Sequence, residues 1–312
     1  MRGSNKRICF VLACLFVATI VHQTNRLARA ADDFPKEIVE WVPDARNPVF
    51  TGSGGDRWDQ KIRERGYILI ENGVYHLWYG GYNPDRSRLV SLGHATSPDG
   101  ILWTRDPANP LTRDLWVEDM FVLHRKEGYW MFAEGRDDIA HLLKGTDPIH
   151  WTEIGPLDIR LTSGEAIKPG PYGTPTAWFE NGVWSLFYER GDQGIWLARS
   201  RDGKVWTNVS DDPVVSLGPD PYDKFAVALN QVIKRDGVYY ALYHANEARP
   251  WKDWTTNVAR SRDLVHWEKY HGNPIVKNNS SSGVFVDAPD GLRLYTMHPE
   301  VRLHVNPRHV KK

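Results

Sequence analysis

Five times along this chain a glycine opens a short aromatic-rich stretch, and that repeat limits the fold more than any other feature. The copies are GVYHLWYGG (73–81), GYWMFAEGR (128–136), GVWSLFYERG (182–191), GVYYALYHA (237–245) and a weaker GLRLYTMH (291–298). A period of about 50 residues marks a repeat architecture in which each period is one supersecondary unit. Between the copies lies a second motif, Ser/Thr-x-Asp and then Trp: SPDGILW (97–103), TDPIHW (146–151), SRDGKVW (200–206) and SRDLVHW (261–267). In three of these a Pro follows the Trp by seven residues: Trp103/Pro110, Trp206/Pro213 and Trp267/Pro274. Trp41/Pro48, near the start, has the same spacing of seven.

The Trp41 strand has no partner before it, and the last repeat (GVFVDAP, LRLYTMH, VRLHVN) has no Trp strand of its own. The N-terminal strand therefore completes the last unit, closing a ring and leaving no open edge. Asn72-Gly73, Asn181-Gly182, Asp236-Gly237 and Asp290-Gly291 are strong hairpin signals. After the first 30 residues no apolar run keeps a 3.6-residue period, so little helix is expected. The reading is all-β: a five-bladed β-propeller with four antiparallel strands per blade over residues 31–312. A β-sandwich also spaces its strands regularly, but the Trp/Pro pair and the split fifth unit argue against it. A six-bladed sialidase-type propeller is a further rival. Its Asp-box Trp falls seven residues after the Ser, whereas Ser97 to Trp103 is six. The Ser/Asp turns are read as structural, their side chains binding backbone N–H groups.

Residues 1–30 are set apart as a secretory signal. Arg2, Lys6 and Arg7 precede an apolar run at 8–21, and Ala28-Arg29-Ala30 forms a small-residue cleavage site. The run of 14 residues is short for a membrane span, which needs roughly 20. The expectation is a secreted or periplasmic protein with no membrane contact after cleavage; an uncleaved anchor or a lipoprotein at Cys14 are the lesser readings. Both cysteines, Cys9 and Cys14, lie in this segment, so the remainder holds no disulfide and no thiol chemistry. The segment also holds five Lys/Arg and no Asp/Glu, which leaves 34 basic and 39 acidic residues and a net charge near −5. That balance speaks against a nucleic-acid partner. Fourteen Trp and thirteen Tyr favour β structure and suit a sugar partner, whose apolar face stacks on an aromatic ring. The oligomeric state is not legible.

In such a blade the innermost strand runs along the axis and the second strand returns beside it. Aligned on their first aromatic, the second strands reach one rim at Gly80, Glu134, Glu189, His244 and His298. Converging carboxylates and imidazoles around one axis are a site signal. Counting back nine from each turn glycine places Glu64, Asp119, Gly173 and Ala228 at the starts of the innermost strands. Asp59 precedes the first of these strands and Thr174 opens the third, while Asn230 lies within the fourth. Paired carboxylates suit glycoside hydrolysis, one protonated to protonate the leaving oxygen and one ionised to activate water or attack. Crowding raises the pKa of one of them. Arg63, Arg65, Arg136 and Arg190 are expected to neutralise these carboxylates or bind an anionic sugar, and Trp254 belongs to the aromatic rim that stacks the sugar. Plainer roles compete: a turn cap for Asp59, a salt bridge for Glu64, a rim hydrogen bond for His244. No HExxH, CxxC or His-x-His pair is present, and GSGG (52–55) lacks the Lys-Ser/Thr of a phosphate cradle. No metal ligand set and no organic cofactor are implied, and a structural cation in the axial channel has no ligand motif behind it.

The runs WYGGYNPDRSRLVSLGHATSPDGILW (78–103) and GTPTAWFENGVWSLFYERGDQGIWLARSRDGKVW (173–206), with the recurrent Asn-Pro linkers, resemble the five-bladed propeller glycosidases of glycoside hydrolase families 43, 32, 62, 117 and 130. The resemblance covers nearly the whole chain after the signal. It implies Asp59 as the base and Asp119 as the residue that orients the acid and sets its pKa. It departs in the third blade, where family 43 carries its acidic Glu and this chain reads Gly173-Thr174-Pro175. Glu189, or His244 by likeness to the histidine acid of family 117, is then the expected acid. The expected activity is an exo-acting, inverting glycosidase; Arg63, Glu64, Glu134, Arg136, Thr174, Arg190, Asn230 and Trp254 would bind substrate. A non-catalytic carbohydrate-binding propeller and a sialidase-like hydrolase are the alternatives, with a partner-binding scaffold as a third.

Overall fold

The computed structural model describes residues 34–168, 171–248 and 252–308. The expected signal segment lies outside the described residues. The described residues up to Val39 form a unit of their own, with one helical turn at Lys36–Val39. The described residues from Glu40 onward form the propeller. Among the described residues no helix is long and apolar enough to cross a membrane.

Five antiparallel sheets make the ring. Blade 1 is Lys61–Glu71, Val74–Asn83, Ser87–Ser97 and Thr104–Arg105. Blade 2 is Glu118–Arg125, Gly128–Glu134, Ala140–Gly145 and Trp151–Pro156. Blade 3 is Thr176–Glu180, Val183–Glu189, Gly194–Ser200 and Val205–Asn208, widened by Asp158–Arg160 and Val215–Ser216. Blade 4 is Ala226–Arg235, Val238–Asn246, Thr255–Ser261 and Trp267–Lys269. Blade 5 is Val284–Ala288, Gly291–Thr296 and Arg302–Val305, and its fourth strand is the N-terminal Val42–Pro43. Val42 pairs with Val305 and Pro43 with His304, so the ring closes as the split fifth repeat requires. Innermost strands of successive blades touch all the way round, blade 5 returning to blade 1.

The repeated residues have two structural roles. Trp151, Trp206 and Trp267 of the outermost strands pack edge-on against Trp78, Phe132 and Phe187 of the preceding blade, at 6.2, 5.8 and 5.9 Å. Those three partners occupy one register, three residues past the first aromatic of each second strand. In these three blades the repeated Trp is therefore inter-blade packing, and each such aromatic pair adds about 0.5–1.5 kcal/mol to its area burial. The Asn of the Asn-Pro linkers acts as a substitute strand residue. Asn47, Asn109 and Asn273 each exchange two hydrogen bonds with the backbone of a third strand, at Leu303, His94 and Val258.

The hairpins between first and second strands are as expected: Asn72-Gly73, Asn181-Gly182 and Asp236-Gly237 are left-handed at both positions, the type I′ pattern. The Ser-x-Asp turns are also structural. Ser97, Ser200 and Ser261 hydroxyls accept N–H groups three residues on, and Asp99, Asp202 and Asp263 accept two each.

Candidate active site

At the opposite end of the blades the innermost strands begin irregularly. Pairing breaks between Arg63 and Tyr67, between Glu118 and Phe121, and between Leu229 and Gln231. In the first three blades the irregular residue is left-handed: Glu64 (φ 47°), Asp119 (φ 44°) and Thr174 (φ 45°). The backward count from the turn glycines holds for Glu64 and Asp119; in blade 3 the equivalent residue is Thr174, one beyond Gly173. A left-handed Glu or Thr costs about 1–3 kcal/mol and persists where the surroundings impose it, which is common at functional sites.

The second strands meet these irregular starts as the alignment anticipated. Gly80 faces Arg63, Glu134 faces Glu118, and His244 faces Ala228. Ser281 faces His298, and the Glu189 N–H donates to the Gly173 carbonyl. Carboxylates thus crowd the axis. Oxygens of Glu118, Asp119 and Glu134, all three buried, lie within 4.8 Å of one another. This is the tightest acidic group among the described residues, and each member already accepts protein N–H groups. Glu118 takes Arg63 Nε at 2.6 Å and Trp116 Nε1 at 2.8 Å. Asp119 takes the Arg65 N–H at 3.0 Å, and Glu134 takes the Thr174 N–H at 2.8 Å.

In blade 3 a neighbouring carboxylate crowds Gly173. A Cβ at Gly173 would lie 2.0 Å from Glu134 Oε2 and 3.0 Å from Glu189 Oε1. The place where family 43 would carry a Glu is occupied instead by the Glu134 carboxylate, reaching over from blade 2. Burial, and then the charges of Asp119, Glu118 and Glu189, push Glu134 well above the usual carboxylate range. Burial and Asp119 raise Glu118 to about 8, against the pull of Arg63. Burial and Glu64 raise Asp119 to about 6, with Arg65 and Arg63 opposing.

Glu189 is buried at the same rim, but both its oxygens hold backbone: Gly173 N–H on Oε1 at 2.9 Å and Asp192 N–H on Oε2. Burial and Asp192 raise it to about 7. Asp192 itself is half-buried on the loop after that strand, and its carboxylate has no hydrogen-bond partner among the described residues. Burial, Asp119, Asp138 and Glu64 raise it to about 6.

Glu64 lies 3.1 Å from His298 Nδ1 and 3.9 Å from Arg63. Burial would raise it, but these partners outweigh burial and hold it below its usual value. His244 is buried with Nδ1 2.8 Å from the Asn230 amide, and Trp254 stands edge-on to its ring at 5.1 Å. Burial drives His244 down to about 3, so it is neutral at neutral pH. Arg63 and Arg136 flank the Trp116 ring at 5.9 and 5.6 Å, and Arg190 lies over Trp196 at 5.4 Å.

Asp59 is not part of this group. It is buried beside Gly81 and accepts hydrogen bonds from Tyr79 Oη at 3.1 Å and Arg105 Nε at 2.8 Å. Its loop ends before the innermost strand starts at Lys61, and Arg105 belongs to blade 1's outermost strand. Sequence reasoning did not single out Asp192 or Trp116. Asp192 had a signal: FAEGRD and FYERGD end on Asp137 and Asp192, left-handed at φ 62° and 61°, in the same turn of two blades.

No family model and no curated protein matches this chain. Solved structures do. A glycosyl hydrolase from Bacteroides ovatus superposes with a TM-score of 0.68 at 15% identity, covering 89% of this chain and 96% of that one. A structure from the GH130 family of mannoside phosphorylases, which contains glycoside hydrolases that target β-1,2-mannosidic linkages in Candida mannan, gives 0.67 at 16%, covering 86% and 94%. The β-1,2-mannobiose phosphorylase of Listeria innocua, in complex with β-1,2-mannobiose, gives 0.62 at 15%, covering 85% and 95%. At these identities the likeness establishes the fold: a five-bladed β-propeller of the kind found in glycoside hydrolases and mannoside phosphorylases.

Proposed function

We propose that this chain is an exported carbohydrate-active enzyme that cleaves a terminal glycosidic bond in its axial pocket, by hydrolysis with inversion. The observation that carries the reading is the contrast between two carboxyls. Glu134 is buried and crowded by like charge, so it keeps its proton. Asp192 is unpartnered at the lip, with a pKa near 6, so it is ionised at neutral pH. Glu134 gives its proton to the leaving oxygen, and Asp192 takes one from the attacking water. Asp119 keeps Glu134 protonated, which is the role the resemblance assigned to it.

Inversion needs about 6.5–9.5 Å between the two carboxyls to admit water. Glu118, Asp119 and Glu134 lie within 4.8 Å, too close to supply both members. A base on the blade 3 loop lies outside that trio. Glu189, with both oxygens on backbone amides, holds that loop; His244, neutral and bonded to Asn230, is a poor acid. In this reading Asp59 is structural. Support for a sugar substrate comes from the Trp116 and Trp254 rings and from the carbohydrate complex of a structural neighbour.

The test is sugar release from a panel of glycosides, with and without inorganic phosphate, by the full chain and by Glu134→Gln and Asp192→Asn. Each substitution is expected to lower turnover by about 10²–10⁴. Phosphate is expected to make no difference, and the released sugar is expected to have inverted configuration. Binding without release would leave a lectin-like propeller. Phosphate-dependent release would make it a phosphorylase, and wild-type rates in both variants would remove the assigned pair.

A further inference from the structure

Arg65 has no role in the reaction described above, yet it is wholly buried at the centre of the ring. Nη1 donates to Thr176 Oγ1 at 2.8 Å and to the carbonyls of Leu229 and Asn230 at 2.9 and 3.0 Å. Nη2 donates to the carbonyls of Pro175, at 2.7 Å, and Asp119. One side chain of blade 1 therefore joins the innermost strands of blades 2, 3 and 4. Every acceptor is a neutral oxygen. Among the described residues no carboxylate binds the guanidinium, although burying an unpaired charge costs several kcal/mol. Neutral groups could supply the same inter-blade bonds without that cost, so the charge itself needs a reason. The nearest negative charge is Asp119, whose Oδ1 accepts the Arg65 backbone N–H and whose carbonyl accepts the guanidinium.

We propose that Arg65 is a positioning residue for the pocket: it grips Asp119 at both its side chain and its carbonyl, fixing the left-handed turn, and it is the buried positive charge beside three crowded carboxylates. The inference deepens the proposed function and rests on it for the roles of Asp119 and Glu134. The charges around Asp119 are Arg63 and Glu64 with Arg65 from blade 1, Glu118 and Glu134 from blade 2, Asp192 from blade 3 and His298 from blade 5. Of the two arginines, Arg63 is 43% exposed and already paired with Glu118, so its field is screened. Arg65 is not.

The experiment compares Arg65→Lys and Arg65→Met in the full chain by two readouts. One is the pH–rate profile on whichever glycoside the wild type cleaves. The other needs no substrate: the carboxyl ¹³C titration of Asp119 in protein labelled at aspartate, assigned by its loss in Asp119→Asn. Removing a neighbouring cation raises a carboxyl pKa. Arg65→Met is therefore expected to move the acidic limb and the Asp119 midpoint up by about one pH unit or more, and to lower kcat about 100-fold. Arg65→Lys keeps the charge but loses the fork; limb and midpoint are expected to stay in place while kcat falls about 10-fold. A folded Arg65→Met with limb and midpoint unmoved overturns the proposal, because a purely structural bolt would lower rate or stability without moving either. If Arg65→Met does not fold, Arg65→Lys decides: a shifted midpoint or a wild-type kcat overturns it. If the wild type cleaves no glycoside the proposed function fails, and the Asp119 midpoint still tests Arg65.

Discussion

The two ends of each blade use left-handed backbone in opposite ways. At the hairpin end it falls on Asn72-Gly73, Asn181-Gly182 and Asp236-Gly237, residue types that tolerate it with little strain. The Ser-x-Asp turns satisfy their N–H groups locally. At the axial end it falls on Glu64, Asp119 and Thr174, where no glycine relieves it. Buried like charges accumulate beside it. One end is locally relaxed, and the other is strained and electrostatically crowded, held by the packed ring. Strain retained at one end of a regular repeat is what a functional site looks like when the scaffold supplies the stability.

Two glycines break the comparison most sharply. Gly173→Ala puts a methyl where Glu134 Oε2 lies 2.0 Å away. The carboxylate must move, and about 100-fold loss of kcat/KM is expected, since an ångström of misplacement is worth that much. Gly182, at the hairpin end, has open space around its would-be Cβ but a φ of +77°. Gly182→Ala is expected to lower stability by about 1 kcal/mol in a urea melt and leave kcat/KM unchanged. Equal activity losses in the two would erase the distinction between the ends.

Stability should also depend on pH because of the axial end. Glu118 at about 8, Glu189 at about 7, and Asp119 and Asp192 at about 6 all titrate above their unfolded values when folded. A raised carboxyl binds its proton more tightly in the native state. Its contribution is complete below the unfolded pKa near 4 and is lost as pH rises through the folded value. His298, also raised, acts in the same direction. The melting temperature is therefore expected to fall between pH 6.5 and 8.5, above the range where His244 charges on unfolding. Glu118→Gln is expected to flatten that slope; an unchanged slope would show that the crowding is relieved in another way. The smallest effect is Thr174→Asn, which suits the left-handed backbone and keeps the N–H on Glu134. A gain of up to about 1 kcal/mol is expected, measured by denaturant unfolding.

Much of the fold was legible because it is repetitive and local. Trp151, Trp206 and Trp267 pack against the preceding blade, each Asn-Gly turns a hairpin, and the unpaired Trp41 strand announces the closure. The rim alignment was legible for the same reason, since second strands of equal length end in one place. Asp59 matched the family layout by its position ahead of the first innermost strand, but nothing in the sequence told that its carboxylate would bond Tyr79 and Arg105. Asp192 was passed over because a carboxylate three residues beyond a strand looks like an ordinary turn residue.

The sequence by itself determined the ring: the period, the number of blades, the closure and the end at which acidic groups gather, all of which follow from patterns that recur every 50 residues or so. Only the tertiary structure decided which carboxylates meet. Whether Glu134 or Glu189 occupies the space over Gly173, whether Asp192 is partnered, and what Arg65 holds are matters of contact between blades. Those contacts join residues 16 to 165 positions apart along the chain, and no local pattern encodes them.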